Sequence, residues 1–71
     1  MSVYRRGSKS PEVRRIQEKL KELGLYLGDF DGIFGGGGEA AAQRFQKSRG
    51  LAADGIVGAK SWSALFGEEN P

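Results

Sequence analysis

The chain of 71 residues contains neither cysteine nor histidine. Without cysteine it cannot form disulfide bonds or thiolate metal sites, and without histidine it lacks the commonest zinc ligand and the usual general base near neutral pH. These absences exclude serine–histidine and cysteine–histidine catalysis within the chain. No segment approaches the ~20 apolar residues of a membrane span, and the first residues lack the apolar core of a secretory signal. We therefore expect no metal, no cofactor and no membrane span.

Proline is scarce, with 2 residues, whereas glycine is abundant, with 12. This is more than twice the typical glycine content of about 7%, so the chain is either flexible or rich in special backbone turns. Hydrophobic residues make up 38% of the chain and charged residues 28%, a balance typical of a globular protein. We expect residues 1–71 to form one domain, with a core over about residues 4–66 and a frayed tail at 67–71.

The net charge of +2 is too small to indicate nucleic-acid binding, and no nucleic acid is expected as a partner. The charge is uneven, however, because residues 1–24 carry seven basic and three acidic side chains. This pattern indicates either a solvated helix face or a surface that attracts an anionic polymer.

Three helices are predicted, over about residues 10–23, 39–48 and 61–66. Ser10 is a favourable N-cap for the first helix, and Pro11 follows at the first helical position, where its missing N–H costs nothing. Ser61 is the predicted N-cap of the third helix. The three helices are predicted to end at Gly24, Gly50 and Gly67. The inner apolar residues of the first helix are Val13, Ile16, Leu20 and Leu23.

The loop over about residues 25–38 is rich in glycine and aspartate, yet five of its residues are large and apolar. A disordered linker would not carry so many, so these side chains are expected to pack into the core. They are Leu25, Leu27, Phe30, Ile33 and Phe34.

An internal repeat links this loop to a second one. Asp31-Gly32-Ile33-Phe34-Gly35 recurs 23 residues later as Asp54-Gly55-Ile56-Val57-Gly58. In each copy the aspartate is expected to bond backbone amides, the following glycine to adopt a positive φ, and the next two side chains to pack inward. Gln17 and Gln46, beside the apolar stripes of their helices, are expected to bond the loop backbone.

No predicted turn or helix end requires a special backbone conformation at Gly36, Gly37 or Gly38. We therefore expect this run to form the most mobile part of the loop. It is not a phosphate-binding loop, because no Gly-Lys-Ser/Thr precedes a helix here. Asp29 and Asp31 do not begin a calcium loop of the EF-hand kind either, because the later ligand positions hold apolar residues. Free amides at the start of the second helix still offer a place for an anion.

In this order and spacing, these residues resemble a known family, the small three-helix peptidoglycan-binding domain found beside the catalytic domains of cell-wall lytic enzymes. The resemblance covers about residues 4–66. Where the family usually has a proline and a threonine before its second helix, this chain has the glycine run. The matching pieces are Arg6-Gly7-Ser8, residues 12–17, Leu20, Gly24-Leu25-Tyr26, residues 28–35, Glu39-Ala40-Ala41, Phe45-Gln46, Gly50-Leu51, residues 54–58, Ser61-Trp62 and Leu65.

The resemblance implies an all-α, compact three-helix bundle that binds bacterial peptidoglycan without catalysis and concentrates an attached or partner lytic enzyme on the wall. We further expect a monomer located at the cell wall, in the periplasm or outside the cell. The alternative is a module that binds another protein or an anionic polymer through the basic first helix. The sequence does not distinguish recognition of the glycan from recognition of the stem peptide. A phage lytic enzyme and a secreted bacterial hydrolase are equally open as the source of such a module.

The ligand is expected in a groove beside the first turn and the starts of the second and third helices. The site residues are chosen from expected exposure and geometry, and the resemblance does not fix them. Tyr26 and Trp62 are aromatic residues that either stack on sugar rings or pack in the core. The predicted ligand-binding residues are Tyr26, Asp29, Phe34, Gly36, Gly37, Lys60 and Trp62.

Overall fold

The fold consists of three helices joined by two structured loops. A computed structural model describes residues 3–68, and its helices are α1 (Pro11–Glu22), α2 (Gly36–Ser48) and α3 (Ala59–Phe66). Within residues 3–68 there is no strand, and extended pairing is limited to two isolated bridges. The predicted all-α, three-helix class is confirmed. None of the helices in these described residues is long and apolar enough to cross a membrane.

Helix α1 forms as its sequence predicts. The Ser10 hydroxyl accepts a hydrogen bond from the Val13 amide at 3.3 Å, which satisfies one of the free amides of the first turn. The helix ends at Glu22, and Gly24 follows with a φ of +79°. Leu23 is 39% exposed, so the buried stripe of α1 ends at Leu20 rather than at Leu23.

Helices α2 and α3 begin earlier than predicted. Helix α2 starts at Gly36 and not near Glu39, so the glycine run forms its first turn and is not a mobile loop. Helix α3 starts at Ala59, with Gly58 rather than Ser61 as its N-cap. Each helix starts directly after a glycine in extended backbone that closes an Asp-Gly turn. The turn therefore fixes the helix start, and tertiary context overrides the low helix propensity of glycine.

The core lies between the three helices, and Trp62 of α3 is fully buried in it. The Arg15 guanidinium of α1 lies 5.3 Å from the centroid of the Trp62 ring and 4.8 Å from that of Phe66. It also forms an ion pair with Glu68 at 2.9 Å. Helix α3 ends at Gly67, which has a φ of +69°. The tail predicted to fray, residues 67–71, starts at Gly67, and residues 69–71 of it lie outside the described residues.

The segment before α1 joins both loops to the bundle. Tyr4 and Val57 exchange two backbone hydrogen bonds, of 3.0 and 2.7 Å. Residues 7–10 make three further backbone hydrogen bonds with residues 32–34, of 2.8 to 3.0 Å. These contacts fix the positions of the two turns relative to each other.

Of the five large apolar residues in the first loop, three pack as predicted. Phe34 is buried at 2% exposure, and Leu25 and Phe30 pack partly buried against the core. Leu27, by contrast, is 93% exposed and Ile33 is 44% exposed. In the turn itself, only the second residue of the apolar pair points inward, because successive extended residues face opposite sides of the backbone.

Candidate ligand-binding site

The first Asp-Gly turn is held by the buried side chain of Gln17. Its amide nitrogen donates to the Asp31 carboxylate at 3.0 Å and to the Ile33 carbonyl at 2.9 Å, and its oxygen accepts from the Gly32 amide at 3.0 Å. The Asp31 carboxylate also accepts from the Ile33 amide at 3.0 Å. All donors and acceptors at the centre of this turn are thereby paired.

The second turn has the same arrangement around Gln46. This side chain donates to the Asp54 carboxylate and the Ile56 carbonyl, at 3.0 and 2.9 Å, and accepts from the Gly55 amide at 2.9 Å. Gly32 and Gly55 both have a φ of +74°, a conformation that strains any residue with a Cβ. The roles predicted for the two aspartates, the two glycines and the two glutamines are therefore present in the structure.

The hydrogen bonds of the first turn also act on the Asp31 carboxyl. Its pKa lies below its ordinary value of 3.8, first because the Ile33 amide donates to the carboxylate and second because Gln17 does. Both bonds favour the ionised form. Asp31 is thus committed to its turn, which leaves ligand contacts to its neighbours.

Two of the predicted ligand-binding residues are in the core. Phe34 is 2% exposed and Trp62 is 0% exposed, so neither ring presents a face to a ligand. The prediction that they contact a ligand is corrected. Phe34 packs inward because it faces the side of the backbone opposite to the exposed Ile33. Trp62 fills the centre of the bundle between Tyr4 and Phe66.

Four predicted residues come together around Tyr26, and we call this region the glycine-run surface (Arg6, Tyr26, Asp29, Gly36 and Gly37). Tyr26 is 9% exposed, and its hydroxyl donates to the Asp29 carbonyl at 2.9 Å. A Cβ placed on Gly37 would lie 3.6 Å from the Tyr26 ring, and one on Gly36 would lie 3.9 Å from the Arg6 guanidinium. Tyrosine, aspartate and the start of α2 thus form one continuous surface beside a cation.

Burial and the nearby carboxylates of Asp31 and Asp29 raise the pKa of Tyr26 above its ordinary value of 10.0. Its hydroxyl therefore stays protonated at neutral pH and keeps its hydrogen bond to the loop. Tyr26 holds the loop against the glycine run, and only the margin of its ring remains for a ligand.

Lys60 lies in a different place, a cavity beside the second turn that we call the second-turn pocket. The pocket has a volume of about 380 Å³ and is lined by residues 50–52 and 58–61 together with Gln46, Asp54 and Ile56. Of the predicted ligand-binding residues, Lys60 alone lines this pocket. The predicted single groove is therefore two separate regions, one at the start of each later helix.

Three residues that the sequence did not predict to contact a ligand bring charged or hydroxyl side chains to these two regions. They are Arg6 at the glycine-run surface, and Asp54 and Ser61 in the second-turn pocket. The internal repeat offered a signal for Ser61, because residues 59–61 occupy the same place after their turn as residues 36–38 do after theirs. Arg6 is close to the site only because the segment before α1 runs alongside both turns, which spacing along the chain does not reveal.

A further cavity of about 370 Å³ lies at the start of α1, between Lys9, Arg14 and Asp31. This cavity lies in the basic part of the chain, where the alternative of an anionic-polymer-binding module would place its ligand. Arg14 there is already paired with Glu18 at 3.5 Å, which reduces the charge available to a polymer. Across residues 3–68 no cluster of three acidic side chains offers a metal site.

The chain resembles known proteins over nearly its whole length. Residues 9–65 match the family model described as "Putative peptidoglycan binding domain". A spore cortex-lytic enzyme of Bacillus cereus is 42% identical over 63 residues, which cover 89% of this chain and 24% of that enzyme. The crystal structure of the SleB N-terminal domain has a TM-score of 0.90 at 39% identity, covering 93% of this chain and 90% of that one.

A second solved structure comes from a larger enzyme. The endolysin of the Burkholderia phage AP3 has a TM-score of 0.84 at 37% identity, and the match covers 99% of this chain and 27% of the endolysin. The chain thus spans about a quarter of the length of these two enzymes. The matched family is defined by binding and not by catalysis, so this chain is a binding module. By its sequence match and its three-helix fold, the chain belongs to the peptidoglycan-binding domain family.

Proposed function

We propose that this chain binds bacterial peptidoglycan and holds an attached or partner lytic enzyme at the cell wall. The observation that carries the proposal is the family match over residues 9–65. Its similarity to about a quarter of a spore cortex-lytic enzyme and of a phage endolysin supports the partnership with a catalytic domain. A modest binding site joined to such a domain raises the local concentration of that domain on an insoluble substrate.

At the glycine-run surface the ligand group is a carboxylate of the stem peptide. Gly36 and Gly37 are exposed, and α2 has no side-chain cap, so their amides point to solvent with the positive end of the helix dipole behind them. The Arg6 guanidinium lies beside Gly36. Amides at a helix start and an adjacent guanidinium together attract an anion.

Asp29 and Tyr26 complete this surface. Asp29 is exposed, and its carboxylate makes no hydrogen bond within residues 3–68. It is thus free to accept from a peptide amide or a sugar hydroxyl. The margin of the Tyr26 ring supplies an apolar contact next to the two glycines.

Two substitutions at one position test this surface by charge alone. Gly37→Glu places a negative charge where the carboxylate binds, and a glutamate in the first turn of a helix is compatible with its dipole. Gly37→Gln adds nearly the same volume without the charge. On purified peptidoglycan sacculi, we expect Gly37→Glu to weaken retention about fivefold relative to Gly37→Gln. Equal retention of the two variants would exclude a carboxylate at this surface.

A further inference from the structure

The second-turn pocket has the volume of a small-ligand site. Its volume of about 380 Å³ lies within the usual range of roughly 300–1,000 Å³. The buried wall is formed by Gln46 and Ser61, which are 1% and 6% exposed. Polar groups in a fixed, buried wall recognise a ligand better than mobile surface side chains do.

The two charged residues that line the pocket, Lys60 and Asp54, are of opposite sign and are not paired. Neither takes part in an ion pair within residues 3–68, with each other or with another residue. One oxygen of Asp54 accepts from Gln46 and from the Ile56 amide, and its second oxygen accepts no hydrogen bond in the described residues. An exposed cation and an exposed anion are thus both available to a ligand in the same cavity.

Ser61 adds a hydrogen-bond donor that the turn itself does not need. The Gln46 amide has two N–H groups but three acceptors within reach, namely Asp54 at 3.0 Å, the Ile56 carbonyl at 2.9 Å and the Ser61 hydroxyl at 3.1 Å. The two shorter bonds use both N–H groups. The Ser61 hydroxyl proton has no acceptor within residues 3–68, which leaves it free to donate into the pocket.

The first turn has no such donor. The amide nitrogen of Gln17 has two acceptors, and the residue in the place of Ser61 is Gly38. The residue in the place of Lys60 is Gly37. Since both turns fold with the same hydrogen bonds, Lys60 and Ser61 are not required to form a turn of this kind.

We propose that the second-turn pocket binds the zwitterionic end of an α-amino acid. Its carboxylate is held by the Lys60 ammonium, the Ser61 hydroxyl and the free amides at the start of α3, which has no capping side chain. Its ammonium is held by the second oxygen of Asp54. A ligand with one charge alone would leave either Lys60 or Asp54 without a partner.

This inference rests on the proposed function, because the stem peptides of peptidoglycan offer such a group. A stem peptide with diaminopimelate carries an ammonium and a carboxylate on one carbon at the end of its side chain. A stem peptide with lysine at the same position carries the ammonium alone. The two peptides are therefore a matched pair for the carboxylate that Lys60 and Ser61 would bind.

The test is a titration of the isotope-labelled chain with each of these two soluble tripeptides, followed by amide chemical shifts. We expect the diaminopimelate peptide to shift Gly55, Lys60 and Ser61, and the lysine peptide to bind this pocket about tenfold more weakly. Lys60→Gln is expected to remove the difference between the peptides, whereas the control Lys47→Gln, at an exposed lysine of α2 outside the pocket, retains it.

Equal affinity for the two peptides, or shifts confined to Gly36, Gly37 and Tyr26, would refute the pocket. A Lys60→Gln variant that still binds the diaminopimelate peptide more tightly than the lysine peptide would also refute the pocket. Retention of the chain on whole sacculi with no shift at Lys60 or Ser61 would leave the proposed function standing and this inference wrong. Binding of the peptides at the pocket without retention on sacculi would support this inference and contradict the proposed function.

Discussion

Single buried side chains decide how this chain folds its two loops. Gln17 and Gln46 are polar residues at 2% and 1% exposure, and each makes three or more hydrogen bonds across its turn. Their position beside the apolar stripe allowed this role to be predicted from the sequence. An amide is suited to it because it both donates and accepts.

Replacing Gln46 by alanine is expected to destabilise the fold by about 3 kcal/mol, because the Gly55 amide and the Ile56 carbonyl lose their partners. Urea unfolding followed by circular dichroism measures this. The control is Gln43→Ala on the exposed side of the same helix, which we expect to change stability by less than about 0.5 kcal/mol. Similar losses in both variants would show that the turn does not depend on Gln46.

Asp31 gives the stability of the fold a dependence on pH. Because the folded-state pKa of its carboxyl lies below the ordinary value of 3.8, the unfolded chain binds this proton more tightly. The contribution of Asp31 is therefore fully present above the unfolded pKa and is lost as pH falls through the folded one. In thermal melts from neutral to strongly acidic pH, Asp31→Asn is expected to lose less stability below about pH 4 than the unaltered chain.

Asp29→Asn is the matched control for this experiment. The Asp29 carboxylate makes no hydrogen bond within the described residues, so this variant removes a carboxylate from the same loop without removing a hydrogen bond of the turn. An identical acid response in Asp31→Asn and the unaltered chain would contradict the role assigned to the Ile33 and Gln17 hydrogen bonds.

The burial of individual aromatic residues was harder to predict than their position. The sequence placed Trp62 at the start of a short helix, where stacking on a ligand and packing in the core remained possible. The structure buries it because α1 supplies Arg15 over its ring and the segment before α1 supplies Tyr4. Both contacts join residues far apart in the chain, so no local pattern reveals them.

At the scale of elements, the turns determine where the helices begin. The sequence predicted the start of α1, where serine and proline act locally, but placed the starts of α2 and α3 too late. Gly35 and Gly58 have nearly the same extended backbone, with φ of −102° and −99°. The start of α2 follows from this geometry and not from the helix propensity of residues 36–38. A prediction from propensity therefore placed the start of α2 too late.

The glycine run therefore offers a stabilising substitution. Gly36 is the first residue of α2, and Gly35 before it is extended with a ψ of −171°, as the residue before a proline prefers. We expect Gly36→Pro to stabilise the fold by about 0.5–1 kcal/mol, because proline restricts the unfolded chain and gives up an amide that the helix does not use. Thermal unfolding measures the gain.

Gly32→Ala provides the opposite case within the first turn. Gly32 has a φ of +74°, and a Cβ added there would lie 3.2 Å from the Ser10 carbonyl oxygen. We therefore expect Gly32→Ala to destabilise the fold by about 1–2 kcal/mol. A loss of stability in Gly36→Pro comparable to that in Gly32→Ala would mean that the glycine run is not the first helical turn.

At the scale of the whole molecule, the chain is a small binding module, and its proposed function is tested by joining it to a catalytic domain. Fused to a catalytic domain that hydrolyses peptidoglycan, it is expected to raise the rate on insoluble sacculi about tenfold or more, through local concentration. The rate on soluble fragments should stay unchanged, since these do not retain the enzyme. A fusion carrying Gly37→Glu together with Lys60→Gln is the control, and it should lose most of the gain.

The central claim is that this chain recognises peptidoglycan itself and not negative charge in general. The most direct measurement is co-sedimentation of the unaltered chain with sacculi stripped of anionic polymers, from low to high salt, beside soluble polyanions of unrelated chemistry. We predict retention on the sacculi that persists into moderate salt and little binding to the polyanions, because the net charge is only +2. Loss of all retention on stripped sacculi, with salt-sensitive binding to the polyanions, would contradict the account and favour the basic face of α1.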